Sequence, residues 1–179
     1  MATLQLTHWQ RSYAPQIARL ANDPGIAANL RDAFPHPYTL ADAQGFIAAC
    51  MAAGPGQLLL AILVDGQPAG SISLCQGQDI YRQSAELGYW LGRPYWGRGI
   101  MTQAVSQICS LGFSQLPIRR IFAEPFARNL ASRRAAAGAS VFQCQMTVLW
   151  AASLSYTPRA SRVAEPPKPT VLPSMAPSR

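Results

Sequence analysis

The segment that most constrains this chain is Tyr89-Trp-Leu-Gly-Arg-Pro-Tyr-Trp-Gly-Arg-Gly-Ile-Met-Thr-Gln-Ala104. A strand-like run leads into a Gly97-Arg98-Gly99 turn, and a helix-like run follows. Glycine admits backbone conformations closed to other residues and lets main chain approach a ligand closely. The amides that open a helix have no partner inside it and stand at the positive end of its dipole. Strand, glycine turn and helix in this order form a cradle for an anion such as a phosphate, with no charged side chain required. On spacing alone the same residues also describe a plain turn, so both readings stand at this point.

The rest of the pattern sets the fold class. Residues 3–7 alternate as a strand, Tyr13, Ile17 and Leu20 recur at helical spacing, and a short second helix is predicted over 26–30. Thr39 is placed to cap a helix carrying Phe46, Ile47 and Cys50, closed by Gly54-Pro55-Gly56. Strands over 58–64 and 69–75 flank Asp65-Gly66, a strong hairpin signal. A strand over 86–91, a helix over 100–113, a strand over 118–124 and a helix from Asn129 follow. The order β-α-α-α-β-β-β-α-β-α predicts an α/β (α+β) chain, with helices packed on a mixed sheet.

Trp96-Gly-Arg-Gly-Ile-Met-Thr-Gln-Ala104 resembles the pyrophosphate loop of the GNAT acyltransferase superfamily, and Arg128-Asn-Leu-Ala-Ser-Arg-Arg134 resembles its second motif. Glu86-Leu-Gly-Tyr-Trp-Leu91 and Phe122-Ala-Glu-Pro-Phe126 are similar to the branch that acetylates ribosomal-protein N-termini. The resemblance covers about residues 1–134. It implies a mostly antiparallel sheet with helices on both faces, splayed between its fourth and fifth strands so that acetyl-CoA enters the gap. The backbone of Trp90 and Leu91 is then expected to pair with the pantetheine arm. The loop of Trp96, Gly97, Arg98, Gly99, Ile100, Met101 and Thr102 is expected to hold the pyrophosphate, with Asn129 as a further cofactor contact or an N-cap. Where the family's loop commonly opens with Gln or Arg and closes with Gly or Ala, this chain has Trp96 and Met101, both usual in this branch.

The implied chemistry is attack of a primary amine, either a protein N-terminus or a small amine, on the thioester in a ternary complex. Glu86 is the expected base, acting through water, and an equal reading pairs it with a neighbouring arginine. Ser132 is expected near the sulfur, or as a first-turn serine bonding its own backbone. Phe34, His36 and Tyr38 lie where the family builds its acceptor wall; His36 also reads as a loop histidine held between prolines, and His8 as a strand-end residue with no role.

Charge and cysteine content exclude other classes. The net charge of +7 divides into 11 arginines against 7 acids through Arg134 and 4 basic residues against 1 acid afterwards. No Lys/Arg run with interleaved aromatics marks a nucleic-acid face. Cys50, Cys75, Cys109 and Cys144 lack metal or disulfide spacing, so no metal is expected. With neither a basic leader nor a long apolar stretch, the chain is expected to be soluble, cytoplasmic, without a membrane partner, and monomeric or homodimeric.

After Arg134 the family pattern stops. The family's helix normally continues to Ala-Gly-Phe and two further strands, where this chain reads Ala135-Ala-Ala-Gly-Ala-Ser140. The expected organisation is an acetyltransferase-like domain over 1–134, a divergent helix end with one strand within 135–157, and a disordered tail over 158–179, which holds six prolines. The C-terminal strands are expected to be incomplete. Such a break resembles a shifted reading frame. The alternative reading is therefore an impaired acyl-CoA-binding protein with a basic tail contacting RNA or another acidic partner.

Overall fold

The computed structural model describes residues 2–138 and 147–148. Strand β1 (Leu4–Thr7) is followed by helices α1 (Ala14–Ala21), α2 (Pro24–Ala27) and α3 (Leu40–Met51). Strands β2 (Gln57–Val64), β3 (Gln67–Gln76) and β4 (Ser84–Leu91) precede α4 (Ile100–Gln115), β5 (Arg120–Ala123), α5 (Leu130–Gly138) and the short β6 (Thr147–Val148). The sheet order is β1-β2-β3-β4-β5-β6, antiparallel through β4 and parallel from β4 to β5 and from β5 to β6.

Local chemistry sets these boundaries. Asp65 and Gly66 both take positive φ, as a two-residue hairpin turn demands, and join β2 to β3. Thr39 and Asp42 form a reciprocal capping box at the start of α3. Helix α2 lies earlier than predicted: Pro24 enters at its first position and Asp23 accepts from the Gly25 amide at 2.7 Å, so the turn is nucleated there rather than at Ile26. Strand β5 is shorter than predicted because the Ile118 amide is turned back to the Leu116 carbonyl.

Alternation along β2 sorts its side chains onto two cores. Leu60, Ile62 and Val64 join Ile72, Leu74, Leu87, Val105, Ile108 and Ile121 beneath α4. Ala61 and Leu63 join Ile17, Ile26, Ile47 and Trp90 beneath the α1–α3 layer. Helices therefore cover both faces, and the sheet separates two distinct apolar layers.

Helix α5 continues through Ala135 and Ala136, both buried, to Gly138, whose added Cβ would lie 3.4 Å from Thr102 Cγ2 of α4. Of the strand expected around 142–150, Thr147 and Val148 are described, pairing with Phe122 and Ala123. Its remainder and the expected tail over 158–179 lie outside the described residues.

Candidate active site

Strands β4 and β5 pair only through Ser84, Ala85 and Glu86, opposite Arg120, Ile121 and Phe122. Beyond Glu86, β4 runs on to Leu91, whereas β5 ends at Ala123. The two strands thus part toward their carboxyl ends. A cleft of about 1170 Å³ opens there, lined by Leu87–Leu91, by the turn before α4 and by Pro125, Asn129 and Ser132 on the far side.

The turn feeds directly into this cleft. Gly97 and Gly99 both have φ of 72°, and a Cβ at either would meet nothing within 4 Å, so the space above them is open. Gly99 is the N-cap of α4, and among the described residues no side chain caps that end. The helix's first amides are therefore left for an external acceptor, at the positive end of its dipole. Trp96 braces the turn, its indole Nε1 donating to the Leu91 carbonyl at 2.6 Å while the Arg93 guanidinium lies 5.2 Å from its ring centre. Asp23 holds Arg93 through bonds of 2.7 and 3.0 Å, which ties the turn to α2. That pairing keeps the Asp23 carboxyl below its ordinary value of 3.8.

On the α1–α3 face, Glu86 forms an ion pair and hydrogen bond with Arg31, which also lies 3.9 Å from Glu124. The Arg31 side chain is 72% exposed, so solvent screens the pair and it is readily exchanged for another cation. Ser71, Ser73 and Cys75 line the cleft from β3, and Phe34, Phe46 and Trp90 wall it. Burial pushes the Cys75 thiol up, and the Glu86 charge adds to this.

On the opposite side, Ser132 sits in the first turn of α5, its amide donating to Asn129 Oδ1 at 3.0 Å. The Tyr89 hydroxyl reaches the same residue, 2.8 Å from Ser132 Oγ and 2.9 Å from its carbonyl oxygen. Across the cleft, Arg128 donates to the Ala28 carbonyl and joins the β5–α5 connection to the end of α2.

Residues 3–139 match the family model of the acetyltransferase (GNAT) domain. The chain belongs to the GNAT acetyltransferase family. It is similar to the probable N-acetyltransferase YjcK of Bacillus subtilis, 39% identical over 70 residues that make up 39% of each chain. It is also similar to the putative ribosomal N-acetyltransferase YdaF of the same organism, 35% identical over 60 residues, 34% of this chain and 32% of YdaF. These matches span about two fifths and one third of the curated relatives' lengths. Among solved structures, the microcin C7 self-immunity acetyltransferase MccE in complex with acetyl-CoA and AMP shares the fold, with a TM-score of 0.66 at 24% identity over 76% of this chain and 77% of that one.

Within this GNAT frame, Trp90, Leu91, Trp96, Gly97, Gly99, Ile100, Met101, Thr102, Asn129, Glu86, Ser132 and Phe34 all line the cleft. Arg98 is not among the lining residues; it is exposed, with its guanidinium 5.9 Å from the Tyr95 ring centre. His36 is exposed and also outside the lining. Tyr38 is buried and stacks on Phe34 at 4.9 Å, so it supports the wall from behind; burial raises its phenol to about 12. Glu86 adopts the arginine-paired arrangement and faces the cleft as well. Arg31, Glu124 and Tyr89 were not singled out from the sequence. For Tyr89 a signal existed, since it lies an odd number of residues from Glu86 and must face the other side of the sheet.

Among the described residues no group of three or more His, Cys, Asp or Glu is placed to hold a metal ion. No described helix is long and apolar enough to cross a membrane.

Proposed function

We propose that this chain transfers an acetyl group from acetyl-CoA to a primary amine. The observation that carries the reading is the edge of β4 from Leu87 to Leu91, unpaired among the described residues, which opens onto the start of α4. The amides from Gly97 to Thr102 bind the diphosphate, and Trp96, Arg93 and Asp23 hold that turn in place. The β4 edge receives the pantetheine arm as an added strand. The acetyl carbon then lies between the Glu86 side and the Ser132 side of the splay.

The acceptor amine enters from the α1–α3 face, past Arg31 and Phe34. Glu86 takes a proton from it through water, which leaves a lone pair for attack on the thioester carbonyl. Ser132 hydrogen-bonds the departing sulfur. Holding the two reactants in line supplies about 7 to 11 kcal/mol in such reactions, more than the proton transfers contribute. The similarity to YdaF supports a protein N-terminus as the acceptor, since that relative's name is that of a ribosomal N-acetyltransferase.

The reading is tested by thiol release from acetyl-CoA in the presence of a peptide with a free N-terminus, against the same peptide with that amine blocked. Release with the free amine alone is expected. Binding of acetyl-CoA, seen as a stabilisation of about 2.7 kcal/mol at 100 times its dissociation constant, without release to peptide or small amines would instead establish a non-catalytic binder.

A further inference from the structure

Tyr89 is a half-buried polar side chain at the reacting end of the cleft, on the face of β4 opposite Glu86. Leu87 and Leu91 lie in the α4-side core and Tyr89 packs against it, while Trp90 belongs to the other layer. This alternation carries the Tyr89 ring toward α5, where its hydroxyl meets Ser132. Both residues line the cleft.

The phenol has one proton and two acceptors within reach, the Ser132 carbonyl oxygen at 2.9 Å and Ser132 Oγ at 2.8 Å. When the proton goes to the carbonyl, the phenol oxygen is open as an acceptor, and Ser132 Oγ–H donating back to it is turned away from the cleft. When it goes to Oγ, the Ser132 proton is released to point elsewhere. Asn129 holds the Ser132 amide at 3.0 Å, so the backbone stays put while the two protons rearrange.

We propose that Tyr89 is a positioning residue for departure of the thiol: by donating to Ser132 Oγ it aims the Ser132 hydroxyl proton at the sulfur as the carbon–sulfur bond breaks. This rests on the acetyltransferase reading given above. The amine nitrogen forms the new bond to the acetyl carbon, and the electron pair of the breaking bond goes to sulfur. The thiolate accepts a hydrogen bond from Ser132 and takes its proton from water on release, while the amine proton leaves on the Glu86 side. No net proton is drawn from Tyr89. Burial raises the Tyr89 phenol pKa, which keeps it a donor at neutral pH.

The test compares acetyl-CoA with its selenoester analogue, in which selenium replaces the thioester sulfur and the selenolate departs without a donor. With acetyl-CoA, Tyr89→Phe and Ser132→Ala each lower kcat about tenfold with KM for acetyl-CoA within about twofold, and the double variant is no slower than the slower single one. With the selenoester, both deficits shrink to less than about twofold. Deficits equal on the two donors, or an additive double variant, overturn the proposal, because a packing defect would act alike on both. Should Tyr89→Phe unfold, Tyr89→Met, which also lacks the hydroxyl, is compared across the two donors in its place. A wild-type chain that releases no thiol overturns the acetyltransferase reading and this one together; a Tyr89→Phe variant as fast as wild type overturns this one alone.

Discussion

The indole Nε1 of Trp96 donates to the main-chain carbonyl of Leu91 at 2.6 Å, closing the connection between the end of β4 and the start of α4. One side chain thereby sets where the glycine turn stands relative to the free strand edge. A neutral hydrogen bond of this kind is worth about 0.5 to 1.5 kcal/mol. Trp96→Phe keeps the ring and removes the donor, so acetyl-CoA affinity should fall about three- to tenfold in calorimetric titration. Unchanged affinity would show that the turn holds its place without this brace.

Glu86→Gln preserves shape and removes the carboxylate. We expect the transfer rate to drop about 10²-fold, within the range of a general base, with acetyl-CoA binding unaltered. Arg31 separates the two readings of Glu86. If its ion pair only holds the loop, Arg31→Ala and Glu86→Gln should cost similar amounts of activity. If Glu86 is the base, Arg31→Ala should stay within about threefold of wild type, because the exposed pair contributes little.

The Asp23–Arg93 pair gives the fold a defined acid response. Asp23 has its folded-state pKa depressed, first by the Arg93 hydrogen bond. Its contribution is therefore present above the unfolded value near 3.8 and is lost as pH falls through the lower folded value. Melting temperatures between about pH 7 and about pH 3 should show Asp23→Asn less stable than wild type at neutrality, with the difference closing at the acid end. A constant difference across that range would mean that the ionisation of Asp23 contributes nothing to stability.

Ile72 is fully buried beneath α4, whereas Ile80 is 77% exposed. Ile72→Ala should cost about 2 to 5 kcal/mol in denaturant unfolding. Ile80→Ser should stay within about 0.5 kcal/mol. Equal costs would contradict the two-layer assignment of the core.

Much of this arrangement was legible in the sequence because it is written in local chemistry. Asp65-Gly66, Thr39, and Gly97 with Gly99 each favour a particular backbone, and the structure places a hairpin, a capped helix start and a left-handed turn there; that Asp42 completes a capping box with Thr39 is added by the structure. The start of α2 is set by Asp23 and Pro24 rather than by the apolar residue Ile26 at which the predicted helix begins. The parts of the site that escaped notice are contacts between residues far apart in the chain. Arg31 meets Glu86 and Glu124 from a loop with no periodicity. Tyr89 meets Ser132 only because β4 and α5 face each other across a splay. His36 shows the converse: its place in the acceptor-wall segment suggests a site residue, but the fold turns it to solvent as a loop histidine between prolines, while Tyr38 is drawn inward against Phe34.

The central claim is that main-chain amides at the start of α4 grip a diphosphate beside the parted strands. Calorimetric titration of acetyl-CoA into wild type and Gly99→Val tests it most directly. At Gly99 φ is 72°, which valine resists, so the turn must reshape and withdraw its amides. Losing two charge-assisted bonds of about 1.5 to 3 kcal/mol each predicts at least about a 100-fold loss of affinity in a variant that still melts cooperatively. Equal affinity in the two proteins would contradict the account.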